Sequence, residues 1–313
     1  MPKVNIVFDM TKYDLFQLCE ARFNYRHNLN IGLAGAKSER LDRGQLVHIG
    51  CEVYFQALKD HHPYDSASKM ALSRIREAGV ISTDLDNDVI NRVIDVMEEY
   101  FDYWRIADQG YEIVAVEQPF LKDIYEDDNV RIFLAGKIDL VTSDNQYTNM
   151  PTDHKSVDRN YEQGRMVNQF KCYCLVTGSN YLVVDKIGMQ KTLKPHEKFT
   201  RKKLTYDPLY LEEWRQNVIK VLLNRYLHCV AENSWAMNET SCDKYNRQCE
   251  YYGICDSSGL PAKNYKINSE YIQMEPWDVT KAMMKSTDKV EEEKRKREAA
   301  NAETESHTQT KET

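Results

Sequence analysis

The sequence lacks a long apolar run, and no stretch approaches the ~18 consecutive apolar residues that a membrane-spanning helix requires. The start of the chain, MPKVNIVFDMTKYDLF, also lacks the basic, apolar and small-residue order of a signal peptide. We therefore expect a protein that has no membrane partner and stays in the cytoplasm, or in the host-cell cytoplasm if the chain is viral.

An excess of positive charge is also missing. The formal net charge is -7, which argues against a protein that coats nucleic acid through bulk charge alone. With 42% hydrophobic and 29% charged residues, the 313-residue chain can bury one large core or two modest ones. Composition therefore indicates a globular protein, and the sequence contains no internal repeat.

The first third of the chain is predicted to be mainly helical. Apolar residues recur at helical spacing over 13–27 and 40–59, and further helices are expected over 67–78 and 87–106.

Strands follow the helices. YEIVAVEQPFLKDIY and NVRIFLAGKIDLVTS are rich in β-branched and aromatic residues, and the polar EDDN between them predicts a hairpin turn. A third strand is expected over 150–156, a helix over 161–177, a strand in NYLVVDKIGM and a long helix over 207–232. This order predicts an α/β core.

The end of the chain is polar. Residues 285–313 include seven basic and eight acidic residues and few large apolar ones. We expect residues 266–313 to form a flexible tail after a single domain over 1–265. That domain would consist of a helical region over 1–110, a core over 111–205, and a helix with a cysteine cluster over 206–258.

Two acidic residues and a lysine indicate a reactive centre. Asp139 lies near the end of one predicted strand and Asp153 near the start of the next, so their carboxylates can converge at one end of the sheet. Such oxygen ligands suit Mg²⁺ or Mn²⁺. Lys155 shares a strand face with Asp153 and could stabilise charge on a phosphate. Taken alone, D-x-K is equally compatible with a surface ion pair.

Four short motifs accompany this pair. In chain order they are G-x-x-x-H at 44–48, G-x-x-D at 136–139, D-x-K at 153–155 and Q-x-x-x-Y at 169–173. The series resembles the RecB-type branch of the PD-(D/E)XK nuclease superfamily, which includes CRISPR-adaptation exonucleases and AddB-like nucleases. The resemblance covers roughly residues 13–255. One departure is Ile138, which stands where the superfamily has a proline before the first acidic residue.

The resemblance implies a restriction-endonuclease-like fold, a mixed central sheet flanked by helices. It also implies that Asp139, Asp153, the main-chain carbonyl of His154 and His48 bind a divalent cation. Lys155 would then position the attacking water.

Two further positions come from the same resemblance. Gln169 and Tyr173 would orient the lysine and contact DNA near the scissile phosphate. Glu117 matches an acidic position that is frequent on the preceding strand, although an exposed strand residue explains it equally well.

The cysteines suggest a second metal centre. Cys242, Cys249 and Cys255 lie close together in sequence, and a four-ligand site of thiolates suits an iron-sulfur cluster or zinc. Iron-sulfur members of the RecB-type nucleases take one further cysteine from the first helix, and Cys19 stands in the matching place. The resemblance thus implies a 4Fe-4S cluster, with Zn²⁺ as the alternative. The six residues between Cys242 and Cys249 depart from the usual two.

The function expected from the resemblance is a metal-dependent DNA nuclease, an exonuclease, that acts in DNA recombination, repair or replication. A phage enzyme or a CRISPR-adaptation exonuclease fits the size of the chain. Partners would be DNA and a helicase, a recombinase or another replication protein. Two alternatives remain open: a catalytically silent module of the same fold that binds DNA or a partner, and a zinc-stapled structural protein.

Overall fold

A computed structural model describes residues 3–35, 39–82, 85–158, 164–190, 192–244 and 247–309. Its main feature is a mixed sheet with helices on both faces, which confirms the predicted α/β class. None of the helices in these ranges is both long and apolar enough to cross a membrane.

The strands are β1 (Val4–Phe8), β2 (Ile31–Leu33), β3 (Glu112–Glu126), β4 (Val130–Ser143), β5 (Met150–Val157), β6 (Tyr181–Gly188), β7 (Phe199–Thr205), β8 (Asp243–Lys244), β9 (Arg247–Gln248) and β10 (Tyr271–Gln273).

The helices are α1 (Met10–Leu18), α2 (Glu20–Phe23), α3 (Glu39–Lys59), α4 (Tyr64–Ser82), α5 (Asn87–Asp108), α6 (Asn168–Thr177), α7 (Pro195–Lys198), α8 (Pro208–Val221), α9 (Leu227–Glu232), α10 (Tyr252–Cys255), α11 (Leu260–Glu270), α12 (Val279–Met283) and α13 (Ser286–Gln309). π-helical turns follow α2 and join α8 to α9.

The main sheet has the order β1-β4-β5-β6-β7, and β3 also pairs with β4. The β1–β4 and β5–β6 pairs are parallel, whereas β3–β4, β4–β5 and β6–β7 are antiparallel. The predicted hairpin of β3 and β4 is present. The pairing of β1 was not predicted, because its five residues form a strand by pairing with β4, which lies more than a hundred residues later in the sequence.

One side of β4 divides between two neighbours. Its residues 130–134 pair with β1, and its residues 140–142 pair with β5. Residues 135–139 lie between these two ladders, so β1 and β5 separate there and leave a fork in the sheet. Polar side chains on this part of β4 can therefore face an open space within the core.

The helices cover the two faces of the sheet. On one face, α1, α6 and α8 bury side chains such as Phe16, Phe170 and Trp214 against the sheet. On the other face, α3, α4 and α5 bury residues such as Tyr54 and Phe101. The two helices α1 and α3 therefore lie on opposite faces of the sheet, and residues of both line the cleft at the fork.

The sequence predicts a helix over 161–177. Residues 161–163 lie outside the described residues, and the observed helix, α6, begins at Asn168. Residues 266–309, for which the sequence predicts a flexible tail, contain the end of α11, β10, α12 and α13. β10 pairs with β2, and Val290 of α13 is fully buried against the α3–α5 layer. The domain boundary at 265 stays a prediction.

Candidate active site

Asp139 lies at the fork, directly before Leu140, the first residue of β4 that pairs with β5. Its carboxylate is buried, and Oδ2 accepts a 2.8 Å hydrogen bond from the backbone N–H of His154. Burial alone would raise the pKa of Asp139, but the nearby His48, His154 and Lys155 lower it below its usual value. The aspartate is therefore ionised, the form that binds a cation.

Asp153 lies across the fork from Asp139. The last pair between β4 and β5 is Leu140 with Thr152, so the two aspartates are the next residues outward on the two strands. Oδ1 of Asp153 accepts a 2.9 Å hydrogen bond from Lys155 Nζ. Oδ2 is buried and accepts no hydrogen bond within the described part of the chain. Because a buried carboxylate oxygen without a partner is costly, this atom needs a ligand.

Burial, with a contribution from the neighbouring Asp139, raises the pKa of Asp153 to about 6 against the opposing effect of Lys155. Two carboxylates that share a site disfavour each other's ionised forms. A divalent cation between them would relieve this repulsion.

Lys155 begins a chain of hydrogen bonds across the floor of the site. Besides Asp153, its Nζ donates to Gln169 Oε1 at 3.1 Å. Gln169 Nε2 donates to the Tyr173 hydroxyl at 2.7 Å, and this hydroxyl donates to the carbonyl oxygen of Lys137 at 2.7 Å. Gln169 and Tyr173 can meet because they are four residues apart on α6. These hydrogen bonds fix the orientation of the Gln169 amide, so that its oxygen faces Lys155 and accepts a hydrogen bond from it.

His48 faces the same site from α3. Its Nδ1 lies 3.6 Å from Asp139 Oδ1. Burial lowers the pKa of His48 to about 4 against the opposing effect of Asp139, and the nearby His154, Lys155 and Lys137 contribute to the lowering. The imidazole is therefore neutral at neutral pH, the state in which histidine binds metals.

Glu117 completes a compact group of ligand atoms. Within the described ranges, one atom each from His48, Glu117 and Asp139 all lie within 4.8 Å of one another. Glu117 is buried and has a left-handed backbone with φ of 49°, which is uncommon for a residue with a side chain. The chain adopts this conformation beside the candidate metal group, where such strain is often found.

The imidazole of His154 lies outside this group. It stacks on Phe55 with ring centroids 5.5 Å apart, and Nδ1 lies 3.3 Å from Asp185 Oδ2. Asp185 also accepts hydrogen bonds from Tyr100 and Arg201, so a buried polar network supports β5 from behind. No local pattern in the sequence predicts this network.

A cleft of about 310 Å³ opens onto the group. His48, Lys137, Asp139, Gln169 and Tyr173 line it, and so do Asp9, Met10 and Thr11 from the turn between β1 and α1. Gly136 in its wall is close-packed, since an added Cβ would lie 3.0 Å from the ring of Phe120. The opposite wall includes Ala282 and Ser286 from the C-terminal helices.

The structure also gathers the four cysteines predicted as cluster ligands. Burial raises the pKa of the Cys255 thiol, and Cys19, Cys249 and Cys242 raise it further. The pKa of Cys242 is raised by burial and by Cys249 and Cys19. Cys19 from the end of α1 therefore lies beside the trailing three, whose backbone is tied by a 2.7 Å hydrogen bond from Cys249 N to Cys242 O.

Three residues at the site were absent from the sequence-based set: Lys137, Glu52 and Ser286. Lys137 lies inside the G-x-x-D motif, so its position could have suggested it. Glu52 follows His48 by one turn of α3 and is buried. Ser286 carries no local signal, because it stands in a polar segment.

A family model for the PD-(D/E)XK nuclease superfamily matches residues 8–256. A solved structure titled "Crystal structure of SSO0001" matches with 11% identity and a TM-score of 0.30, over 61% of this chain and 85% of that chain. No curated protein matches the sequence. Members of the matched superfamily are metal-dependent nucleases, and the described residues provide an acidic group suited to a divalent cation. The chain belongs to the PD-(D/E)XK nuclease superfamily.

Proposed function

We propose that the protein is a Mg²⁺- or Mn²⁺-dependent DNA exonuclease. The observation that carries this proposal is the fork of the sheet, where Asp139 and Asp153 face each other. There Asp153 Oδ2 is buried and has no hydrogen-bond partner among the residues that the structure describes. A cation with oxygen ligands satisfies that atom and neutralises the paired carboxylates.

The ligands we assign are Asp139, Asp153, the main-chain carbonyl of His154 and the neutral imidazole of His48. Glu117 belongs to the compact group with His48 and Asp139, and we assign it as a further acidic ligand. When bound, the cation would supply Lewis-acid activation of water and stabilise charge on the phosphate.

Lys155 positions the attacking water in this proposal. Its Nζ is held between Asp153 and Gln169, and the hydrogen bond from Gln169 to Tyr173 fixes the direction of the amide. Hydrolysis forms a bond from the water oxygen to phosphorus and breaks the bond to the 3′ oxygen. The products are a 5′-phosphate and a 3′-hydroxyl, which takes up a proton, and the ammonium of Lys155 would offset the negative charge that develops on the phosphate.

The dimensions of the cleft support a single-stranded DNA substrate and an exonuclease activity. Its volume of about 310 Å³ is at the lower end of the range for small-ligand sites, so it suits one nucleotide rather than a duplex.

The convergence of Cys19, Cys242, Cys249 and Cys255 supports a structural 4Fe-4S cluster. The resemblance to the iron-sulfur RecB-type nucleases favours the 4Fe-4S cluster over Zn²⁺, and the cluster would join α1 to the loop after α9.

We assign such an enzyme to DNA recombination, repair or replication in the cytoplasm. Its partner there would be a helicase or a recombinase. A silent binding module of the same fold is the second candidate. The presence of Asp139, Asp153 and Lys155 together, with Lys155 in contact with Asp153, argues against it, because a module without activity has no need of the complete set.

The deciding experiment is digestion of end-labelled linear DNA and closed circular DNA, single- and double-stranded, with Mn²⁺ or Mg²⁺. The protein should be purified anaerobically and compared with its Asp153→Ala variant. We expect wild type to degrade linear single strands from an end and the variant to be inactive. Equal digestion by both proteins would contradict the assigned site, and the absence of digestion by wild type would favour the binding module.

A further inference from the structure

The C-terminal region reaches into the candidate active site through one side chain. Ser286, the first residue of α13, is buried. Its hydroxyl donates a 3.0 Å hydrogen bond to Glu117 Oε2, and its backbone N–H lies 3.3 Å from the same oxygen as a second donor. A residue near the end of the chain thus holds an acidic residue of the metal group.

Lys137 strengthens this contact from the floor of the cleft. Its Nζ donates a 3.0 Å hydrogen bond to Ser286 Oγ and also forms an ion pair with Glu117 Oε2. The serine hydroxyl therefore accepts from Lys137 while it donates to Glu117. Three polar groups fix the position of one carboxylate oxygen.

The direction of these contacts matters for a cation. The donors from Ser286 and Lys137 all contact Oε2, so they orient Glu117 without using Oε1. A carboxylate that binds a metal through one oxygen is commonly held by hydrogen bonds to the other. The left-handed backbone of Glu117 fits this picture, because a strained conformation persists only when its surroundings fix it.

The segment that carries Ser286 is itself anchored on both sides. Thr287 donates to Glu52 of α3 through its backbone N–H at 2.9 Å and through its hydroxyl. Val290 is fully buried, and Arg74 of α4 contacts Glu291 at 2.7 Å. On the other side of the cleft, Trp277 Nε1 donates to Asp9 Oδ2 at 2.6 Å.

We propose that Ser286 is a positioning residue of the active site, which acts through Glu117 to set the affinity for the divalent cation. The inference rests on the proposed metal-dependent function and adds a residue to it. Ser286 lies outside the matched residues 8–256, so the family model does not include this contact.

The test measures Mn²⁺ binding directly, by electron paramagnetic resonance of free Mn²⁺, and also the Mn²⁺ concentration that gives half-maximal cleavage. The full-length variants are Ser286→Ala, which removes the hydroxyl, and Ser286→Thr, which keeps it. Ser269→Ala is the matched control, because Ser269 is exposed on α11 and its hydroxyl bonds only to a local carbonyl. We expect Ser286→Ala to weaken Mn²⁺ binding about 10-fold, and the other two variants to stay within about 3-fold of wild type.

A second pair of variants tests whether the effect passes through Glu117. In a Glu117→Ala background, Ser286→Ala should cause no further loss of Mn²⁺ affinity, because the carboxylate it orients is gone. Unchanged Mn²⁺ affinity in Ser286→Ala, or an equal loss in both backgrounds, would overturn the proposal. If wild type binds Mn²⁺ in this pattern yet cuts no DNA, the proposed nuclease function fails while the role of Ser286 stands.

Discussion

The backbone N–H of His154 donates a 2.8 Å hydrogen bond to Asp139 Oδ2, which joins the two strands at the point where their ladder ends. This bond occupies one oxygen of the aspartate and turns Oδ1 towards His48. The position of the carboxylate is therefore set by β5 as well as by its own strand.

Asp139→Asn should weaken metal binding strongly while it preserves the fold. The asparagine carbonyl can still accept from His154, which turns the NH₂ group towards His48 and the cation position. We expect Mn²⁺ affinity to fall about 100-fold and the melting temperature to stay the same or rise, because one buried charge is lost. Calorimetric Mn²⁺ titration and thermal unfolding measure both, and wild-type Mn²⁺ affinity in this variant would contradict the assignment of Asp139.

Lys155→Ala should remove cleavage and leave DNA binding nearly intact. The ammonium acts on the charge that develops during the reaction, and its loss should lower kcat by about 100-fold or more with little change in KM. Single-turnover cleavage and an equilibrium binding assay separate the two effects. Lys122→Ala is a suitable control, because Lys122 is exposed on β3. Unaltered cleavage by Lys155→Ala would refute the assigned mechanism.

Cys19→Ser should lower the iron and acid-labile sulfide content of anaerobically purified protein. In the proposed cluster Cys19 is the ligand from the N-terminal region, so its loss would remove one of the four thiolates. Cys229→Ser provides the control, because Cys229 is buried in α9 and contacts Glu20, to which serine can also bond. Zinc as the sole metal in wild type would favour the Zn²⁺ alternative. Full iron content in Cys19→Ser would contradict the assignment of Cys19 as a cluster ligand.

His27 should make the protein sensitive to acid. Burial, with the nearby Lys12 and Arg26, lowers its pKa from 6.5 to about 4. The unfolded chain takes up the proton as pH falls below 6.5 and the folded chain does not, so the free energy of unfolding decreases between pH 6.5 and 4.

For this partly exposed ring we expect a loss of about 1–2 kcal/mol over that range, after allowance for solvent screening. Urea unfolding at several pH values should show a shallower decrease for His27→Gln than for wild type. Parallel curves for the two proteins would show that His27 does not titrate as described.

Val290→Asp should separate the start of α13 from the rest of the fold. The side chain is fully buried against the α3–α5 layer, and an unpaired carboxylate there costs about 2–4 kcal/mol. Faster cleavage of the C-terminal region by a protease should accompany the change. Glu292→Gln, which alters an exposed ion pair with Lys296 on the same helix, should leave the stability close to that of wild type. Wild-type behaviour of Val290→Asp would support a tail that is independent of the domain.

The strands and the acidic pair could be predicted because their signals are local. β4 and β5 carry β-branched residues, and the spacing of Asp153 and Lys155 places both on one strand face, where they are in contact. The identity of the fourth cysteine came from the resemblance, since nothing near Cys255 marks Cys19 as its neighbour.

The remaining parts of the site depend on contacts between distant segments. β1 pairs with β4 across more than a hundred residues, and no local pattern encodes that register. Among the described side chains of α13, Val290 is the one that is fully buried and apolar. One such residue is too few to give a helical periodicity in the sequence. The contact of Ser286 with Glu117, 169 residues apart, could therefore be found only from the structure.

The fork in β4 also bears on the order of events during synthesis. Asp139 and Asp153 can come together once β5 has left the ribosome, but the segment that supports Glu117 is translated much later. A nascent chain that ends before Ser286 has its acidic residues without the final hydrogen bonds among them. The completed active site is therefore available only after the ribosome has also synthesised the segment that carries Ser286, well after the strands of the fork.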